Sequence, residues 1–123
     1  MSPKLSAAIP VLHVRRSQVA EEFYCGRLGF TRQSAYRPDE PKPDPCYMSL
    51  QRDGITLHLS SFAGDSVAGC AVFIRVGDVD ALHAELVAKG VPIALAPTDQ
   101  DWGNREMYVD DPDGNSLRFV HAG

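Results

Sequence analysis

The chain has 123 residues, a formal net charge of −4, and 44% hydrophobic against 23% charged residues. Such a balance suits one globular domain, or two small modules sharing a core. It argues against nucleic acid as a partner and leaves a neutral or cationic small ligand open. No apolar run has membrane-spanning length, and the opening residues MSPKLSAAIPVL lack the apolar stretch of a leader, so a cytoplasmic protein is expected.

In chain order, residues 9–16 (IPVLHVRR) form a short apolar strand. SQVAEEFYCGRLGF follows as a helix, with Ser17 able to cap it, Val19, Phe23 and Tyr24 at helical spacing, and Gly29 as the stop. Residues 36–45 (YRPDEPKPDP) form an exposed loop, because prolines remove the donors a central strand needs. CYMSLQRDGITLHLSSF gives two strands around an Asp53-Gly54 hairpin turn. CAVFIRVGD starts again with a strand, and VDALHAELVAKGV is an amphipathic helix with Val79, Leu82, Leu86 and Val87 inward, ended by Gly90. An acidic loop (APTDQDWGN), the strand REMYV, a turn and the strand NSLRFV complete the chain. In the turn, Pro112 presets φ and Gly114 tolerates a positive φ. Beyond it Leu117 and Phe119 point one way, and Ser116, Arg118 and Val120 the other. The odd count of three scattered cysteines, Cys25, Cys46 and Cys70, speaks for buried free thiols rather than a disulfide framework or a zinc knuckle.

The second half restates the first. LHV at 12–14 answers IRV at 74–76, LGF at 28–30 answers KGV at 89–91, and DGITLHL at 53–59 answers DGNSLRF at 113–119. The offset is about sixty residues each time, too long for the short solenoid periods. Two βαβββ modules follow, each too small to close a core alone, at residues 5–62 and 69–121 of a single domain covering 1–123. The expected fold is α+β, with the modules packed edge to edge as one curved mixed sheet.

The FYCGRLGF segment after the first strand and DPDGNSLRF on the last make the chain resemble the vicinal oxygen chelate superfamily, which includes glyoxalase I, extradiol dioxygenases and bleomycin-resistance proteins. The resemblance runs from about Ile9 to Val120 and says more about fold than about activity. It implies metal-ligand positions at Ile9, His58, Ala71 and Arg118. Two hydrocarbon side chains and a permanent cation cannot ligate, so neither a metal nor another cofactor is expected. Metal-free bleomycin-resistance proteins are the nearest pattern, through Trp102-Gly103 before the DPDG turn, Pro10 early in the first strand, and Arg15 before the first helix. They imply a homodimer that sequesters an antibiotic or similar ligand in grooves between subunits, without catalysis.

The candidate ligand-binding residues are His13, His58, Arg75, Trp102, Glu106, Arg118 and Tyr36. His13 and Arg75 are repeat partners, as are His58 and Arg118. No catalytic residue is assigned. Trp102, Asp99, Asp101, Asp39 and Glu40 suit a flat cation, whereas Arg75 and Arg118 suit a carboxylate or phosphate. Structural roles remain open at this point: an Arg118–Glu106 lock across the sheet, an Arg75–Asp78 pair, Trp102 packing one module on the other, and surface positions for His83 and His121. The functional alternatives are a metal-dependent lyase, isomerase or dioxygenase with a displaced site at His13, His58 and Glu106, and a metal-free enzyme with a histidine base and Arg118 facing an oxyanion.

Overall fold

The structure, a computed structural model, describes residues 2–123. These form β1 (Val11–His13), helix α1 (Ser17–Glu21) continuing as a π-helical stretch (Glu22–Arg27), β2 (Thr31–Tyr36), β3 (Tyr47–Arg52) and β4 (Ile55–Ser60). The second module repeats the order with β5 (Ala71–Arg75), α2 (Val79–Ala88), β6 (Leu95–Asp99), β7 (Asn104–Asp110) and β8 (Ser116–Ala122). The α+β class and the two βαβββ modules are as expected from the repeat. The hydrogen-bonded ladders, however, close as two four-stranded sheets, β1-β4-β3-β2 and β5-β8-β7-β6, instead of running on as one. In each, the first strand lies parallel to the last, with Val11 opposite His58 and Phe73 opposite Arg118. The repeat partners inferred from sequence therefore occupy equivalent places.

Period-two alternation explains the layering. Leu57 and Leu59 of β4, Met48 and Leu50 of β3, Leu117 and Phe119 of β8, and Met107 and Val109 of β7 are all buried, and with Leu12 and Ile74 they join one core cluster fed by both modules. The residues between them face outward on each sheet. Burial is not available to the edge strands β2 and β6, and both escaped the sequence reading. TRQSAY is almost wholly exposed and LAPTD carries a proline, so neither shows an apolar alternation, and each contains a register shift, between Arg32 and Ser34 and between Leu95 and Thr98.

Two helix details differ from expectation. Ser17 does not cap α1; it is the first helical residue, and its own N–H is held by the Asp44 carboxylate at 3.1 Å from the proline-rich loop. The same carboxylate accepts from Ser61 Oγ at 2.5 Å, tying that loop to the end of β4. In α2, Asp78 caps by accepting from the Ala81 N–H at 3.0 Å, but Val87 is 53% exposed, because the helix rotates it off the buried line of Val79 and Leu86. His121, expected at the surface, is half-buried and accepts from the Val79 N–H at 2.9 Å, satisfying a second open donor of the same helix. His83 is half-buried as well.

The two motifs that carried the family resemblance meet at the seam between modules. Tyr24, fully buried, donates its hydroxyl to Asp111 Oδ2 at 2.8 Å. The other Asp111 oxygen accepts from the N–H groups of Asp113 (2.9 Å) and Asn115 (2.8 Å). Asn115 Nδ2 donates both to Asp111 and to the His13 carbonyl, and its Oδ1 accepts from the Gly69 N–H. Every polar atom of this buried knot has a partner, the condition under which burial is tolerated. Burial, with the facing Asp111 carboxylate second, pushes the Tyr24 hydroxyl far above its ordinary pKa, so it stays a donor. Arg52 makes a second link between modules, paired in a fork with Glu85 at 2.8 and 2.9 Å.

Candidate functional site

The outward faces of the sheets are built from the residues that alternate with the core. On the first sheet, His13 lies opposite Ser60, His58 opposite Ser49, and Tyr36 opposite Tyr47. His13 Nδ1 lies 3.0 Å from the Asp65 carbonyl oxygen. A carbonyl only accepts, so Nδ1 is the donor in this contact. His58 Nδ1 shares a 2.8 Å hydrogen bond with Tyr47 Oη, and burial, then the Asp65 charge, raises the Tyr47 pKa. Tyr36, 62% exposed, stacks on Phe62 with ring centroids 6.1 Å apart.

On the second sheet, Phe73 and Tyr108 flank Arg118, and Val120 separates Arg75 from Glu106. Glu106 is buried, and both its oxygens are engaged: Oε1 accepts from Tyr108 Oη at 2.6 Å and Oε2 from the Trp102 indole N–H at 2.8 Å. The Tyr108 and Trp102 bonds, with the Arg118 charge a lesser contribution, hold the Glu106 carboxyl below its ordinary value. The same Glu106 bond raises the Tyr108 pKa. Arg118 lies over the Tyr108 ring at 4.9 Å, and Arg75 over the Phe73 ring at 5.7 Å.

Several expected contacts are absent. Among the described residues, Arg118 makes no ion pair with Glu106, whose oxygens are taken by two neutral donors, and Arg75 makes none with Asp78, which is engaged at the helix start. Trp102 does not pack module on module; it is 65% exposed. Asp99 does not line the open face either, because Arg105 takes it at 3.1 Å together with Asp80 at 2.9 Å on the opposite side of β7.

The structure thus brings Trp102, Glu106 and Arg118 together with Arg75 nearby, and groups His13, His58 and Tyr36 on the other sheet. Tyr108, Tyr47 and Phe73 went unnoticed in the sequence. The repeat could have found Tyr47, which stands opposite Ser60 as Glu106 stands opposite Val120. The residues do not fit a resident metal. Of the positions where the resemblance puts ligands, Ile9 and Ala71 end in hydrocarbon and Arg118 is a cation on an aromatic ring, leaving only His58 with a donor atom. Among the described residues no group of three or more His, Cys, Asp and Glu is arranged to hold a metal ion, so His13, His58 and Glu106 do not form a displaced site within one chain.

A half-open crevice lies elsewhere, between the modules. This crevice of about 370 Å³ is bounded by Leu28, Phe30, Ile74, Leu82 and Phe119, with the Arg52–Glu85 pair at its side; of the candidate residues only Arg75 borders it. Among the described residues no helix is long and apolar enough to cross a membrane. The cysteines are free, with Cys46 buried and Cys25 and Cys70 half-buried, and burial raises the pKa of each.

Glu106 gives the site a pH signature. Its folded pKa lies below the ordinary 4.5, so the stabilisation it contributes is present above that value and lost as pH falls through the folded pKa. Chemical denaturation of the wild type and of Glu106→Gln at pH 7 and pH 3 is expected to show a smaller acid loss in the variant. Equal losses would mean that the carboxylate gains nothing from its two donors.

The family model described as "Glyoxalase superfamily protein" matches residues 4–122. No curated protein matches the sequence. Among solved structures, the chain is similar to a bleomycin-binding protein complexed with bleomycin, at 25% identity, TM-score 0.76, and 97% and 100% coverage of this chain and that one. It is also similar to the bleomycin resistance determinant encoded on the transposon Tn5, at 26% identity, TM-score 0.76, and 96% and 98% coverage. A glyoxalase/bleomycin resistance protein from Streptomyces sp. CB03234 follows, at 27% identity, TM-score 0.72, and 94% and 100% coverage. Matched over nearly its whole length and built from the repeated βαβββ unit, the chain belongs to the glyoxalase superfamily, the vicinal oxygen chelate fold.

Proposed function

We propose that this protein is a metal-independent, non-catalytic receptor that sequesters a small molecule in a groove between two copies of the chain. The observation that carries the reading is the second sheet's open face, where a 65% exposed indole is held at its N–H by a buried carboxylate and two guanidinium groups lie over aromatic rings without an ion-pair partner among the described residues. Stacking surface and polar groups stand ready there, and the chain itself covers neither. The similar protein complexed with bleomycin supports the class of function, and an antibiotic of that group is the first ligand to try.

The dimer is supported by what one chain leaves uncovered. Tyr36 and Phe73 are 62% and 54% exposed on the two sheet faces, and Leu5 is fully exposed on an arm that joins no strand. Facing a copy of the first sheet, with its His13, His58 and Tyr36, against the second sheet of its partner would wall a groove on both sides. Isothermal titration with metal-free bleomycin, followed in parallel by the fluorescence of Trp102, the single tryptophan, tests the binding. Sedimentation velocity at micromolar concentration tests the dimer. Saturable heat with a dimeric boundary is expected; no heat and an unchanged Trp102 signal would remove the drug assignment, and a purely monomeric boundary would remove the shared groove.

A further inference from the structure

We infer that the open face of the second sheet prefers a planar aromatic carboxylate to a cation of the same shape. The inference rests on the binding reading above and specifies the ligand. The fixed charges on this face decide the matter. Glu106 is negative, but it is buried and both its oxygens already accept hydrogen bonds, from Tyr108 and Trp102. Asp99 is drawn to the other side of the sheet by Arg105. Asp110, opposite Ser116, is exposed at the far end of β7, two positions beyond Tyr108. The cations, by contrast, are free to receive a ligand: Arg118 and Arg75 are exposed and make no salt bridge among the described residues.

Their geometry narrows the class. Each guanidinium lies over a ring, Arg118 on Tyr108 at 4.9 Å and Arg75 on Phe73 at 5.7 Å, which orients it while leaving N–H donors at its edge unused. A guanidinium edge presents a fork that matches two carboxylate oxygens. Phe73, opposite Arg118 and two positions before Arg75 on its strand, is 54% exposed, and with Trp102 it adds flat apolar surface on which an aromatic ring can stack. A cation at the same place would meet two like charges, the exposed carboxylates standing to the side, Asp110 at the end of β7 and Asp101 on the loop before that strand.

The test uses three ligands of one shape: 2-naphthoate, 2-naphthamide and 2-naphthylmethylammonium, with metal-free bleomycin as the fourth arm. The chain has one tryptophan, so the indole N–H cross-peak of the ¹⁵N-labelled protein is a single resonance at the site. The carboxylate is expected to bind on the order of tenfold more tightly than the amide, and the ammonium more weakly still. The preference should shrink in Arg118→Gln and in Arg75→Gln, and fall with added salt. Equal affinities for the three naphthalenes, or a tighter ammonium, with bleomycin still bound, would overturn the carboxylate inference and leave the binding reading intact. No perturbation by any of the four would overturn both. A carboxylate preference unchanged in both arginine variants would place the anion elsewhere and overturn the assignment to this face.

Discussion

Replacing Asp111 by Ala is expected to lower the unfolding free energy by about 3–5 kcal/mol, the largest single effect outside the apolar core. The carboxylate is the hub of the seam between modules, accepting from Tyr24 Oη, the N–H groups of Asp113 and Asn115, and Asn115 Nδ2. Alanine offers none of these donors an acceptor, and Tyr24 and Asn115 are fully buried, so water cannot easily replace it. Tyr24→Phe removes only one donor and leaves Asp111 Oδ2 still bonded to Asn115, so a smaller loss of about 1–2 kcal/mol is expected. Urea denaturation reads both as shifts in midpoint. A double variant costing no more than Asp111→Ala alone would mark the tyrosine and the carboxylate as one unit; full additivity would show that they act separately.

Gly29→Ala is expected to cost about 2–3 kcal/mol, clearly more than Gly90→Ala at about 1 kcal/mol. These glycines end the helices of the two modules at φ of +77° and +74°, so the backbone strain imposed by a Cβ is the same in both. The surroundings differ. Nothing lies within 4 Å of a Cβ at Gly90, whereas at Gly29 it would meet Arg52 Nη1 at 3.0 Å. That nitrogen donates to the Leu28 carbonyl and to Glu85, both at 2.8 Å, so moving it weakens a link between modules. Combining Gly29→Ala with Arg52→Ala should bring the cost of the alanine down to that at position 90. An equal cost of the two single variants would show that Arg52 yields freely and that strain alone acts.

Both effects concern residues of the motifs by which the sequence first resembled its family, and the structure supplies their physical reason. The tyrosine of FYCGRLGF and the second aspartate of DDPDGN bond each other across the seam, and the glycine of LGF lets the chain turn beneath Arg52. These segments hold two half-cores together. They carry no information about what the open faces bind.

The alternation in ITLHLS, REMYV and SLRFV, the turn residues and the halves repeating about sixty residues apart were sufficient to establish the α+β class and the two βαβββ modules, since burial on one face of a strand writes itself into period two. The edge strands left no such record. TRQSAY and LAPTD are bonded on one side and largely exposed, and nothing in them needs to be apolar. The chemistry of the candidate site depended on tertiary structure for another reason: a side chain's type does not name its partner. Glu106 had Arg118 available and took Trp102 and Tyr108; Asp99 stood beside Trp102 in sequence and went to Arg105; Trp102 was apolar enough for a core and lies open. Composition determined which charges exist, but only packing decided which of them are already satisfied, and the unsatisfied ones on an open face are those a ligand can meet.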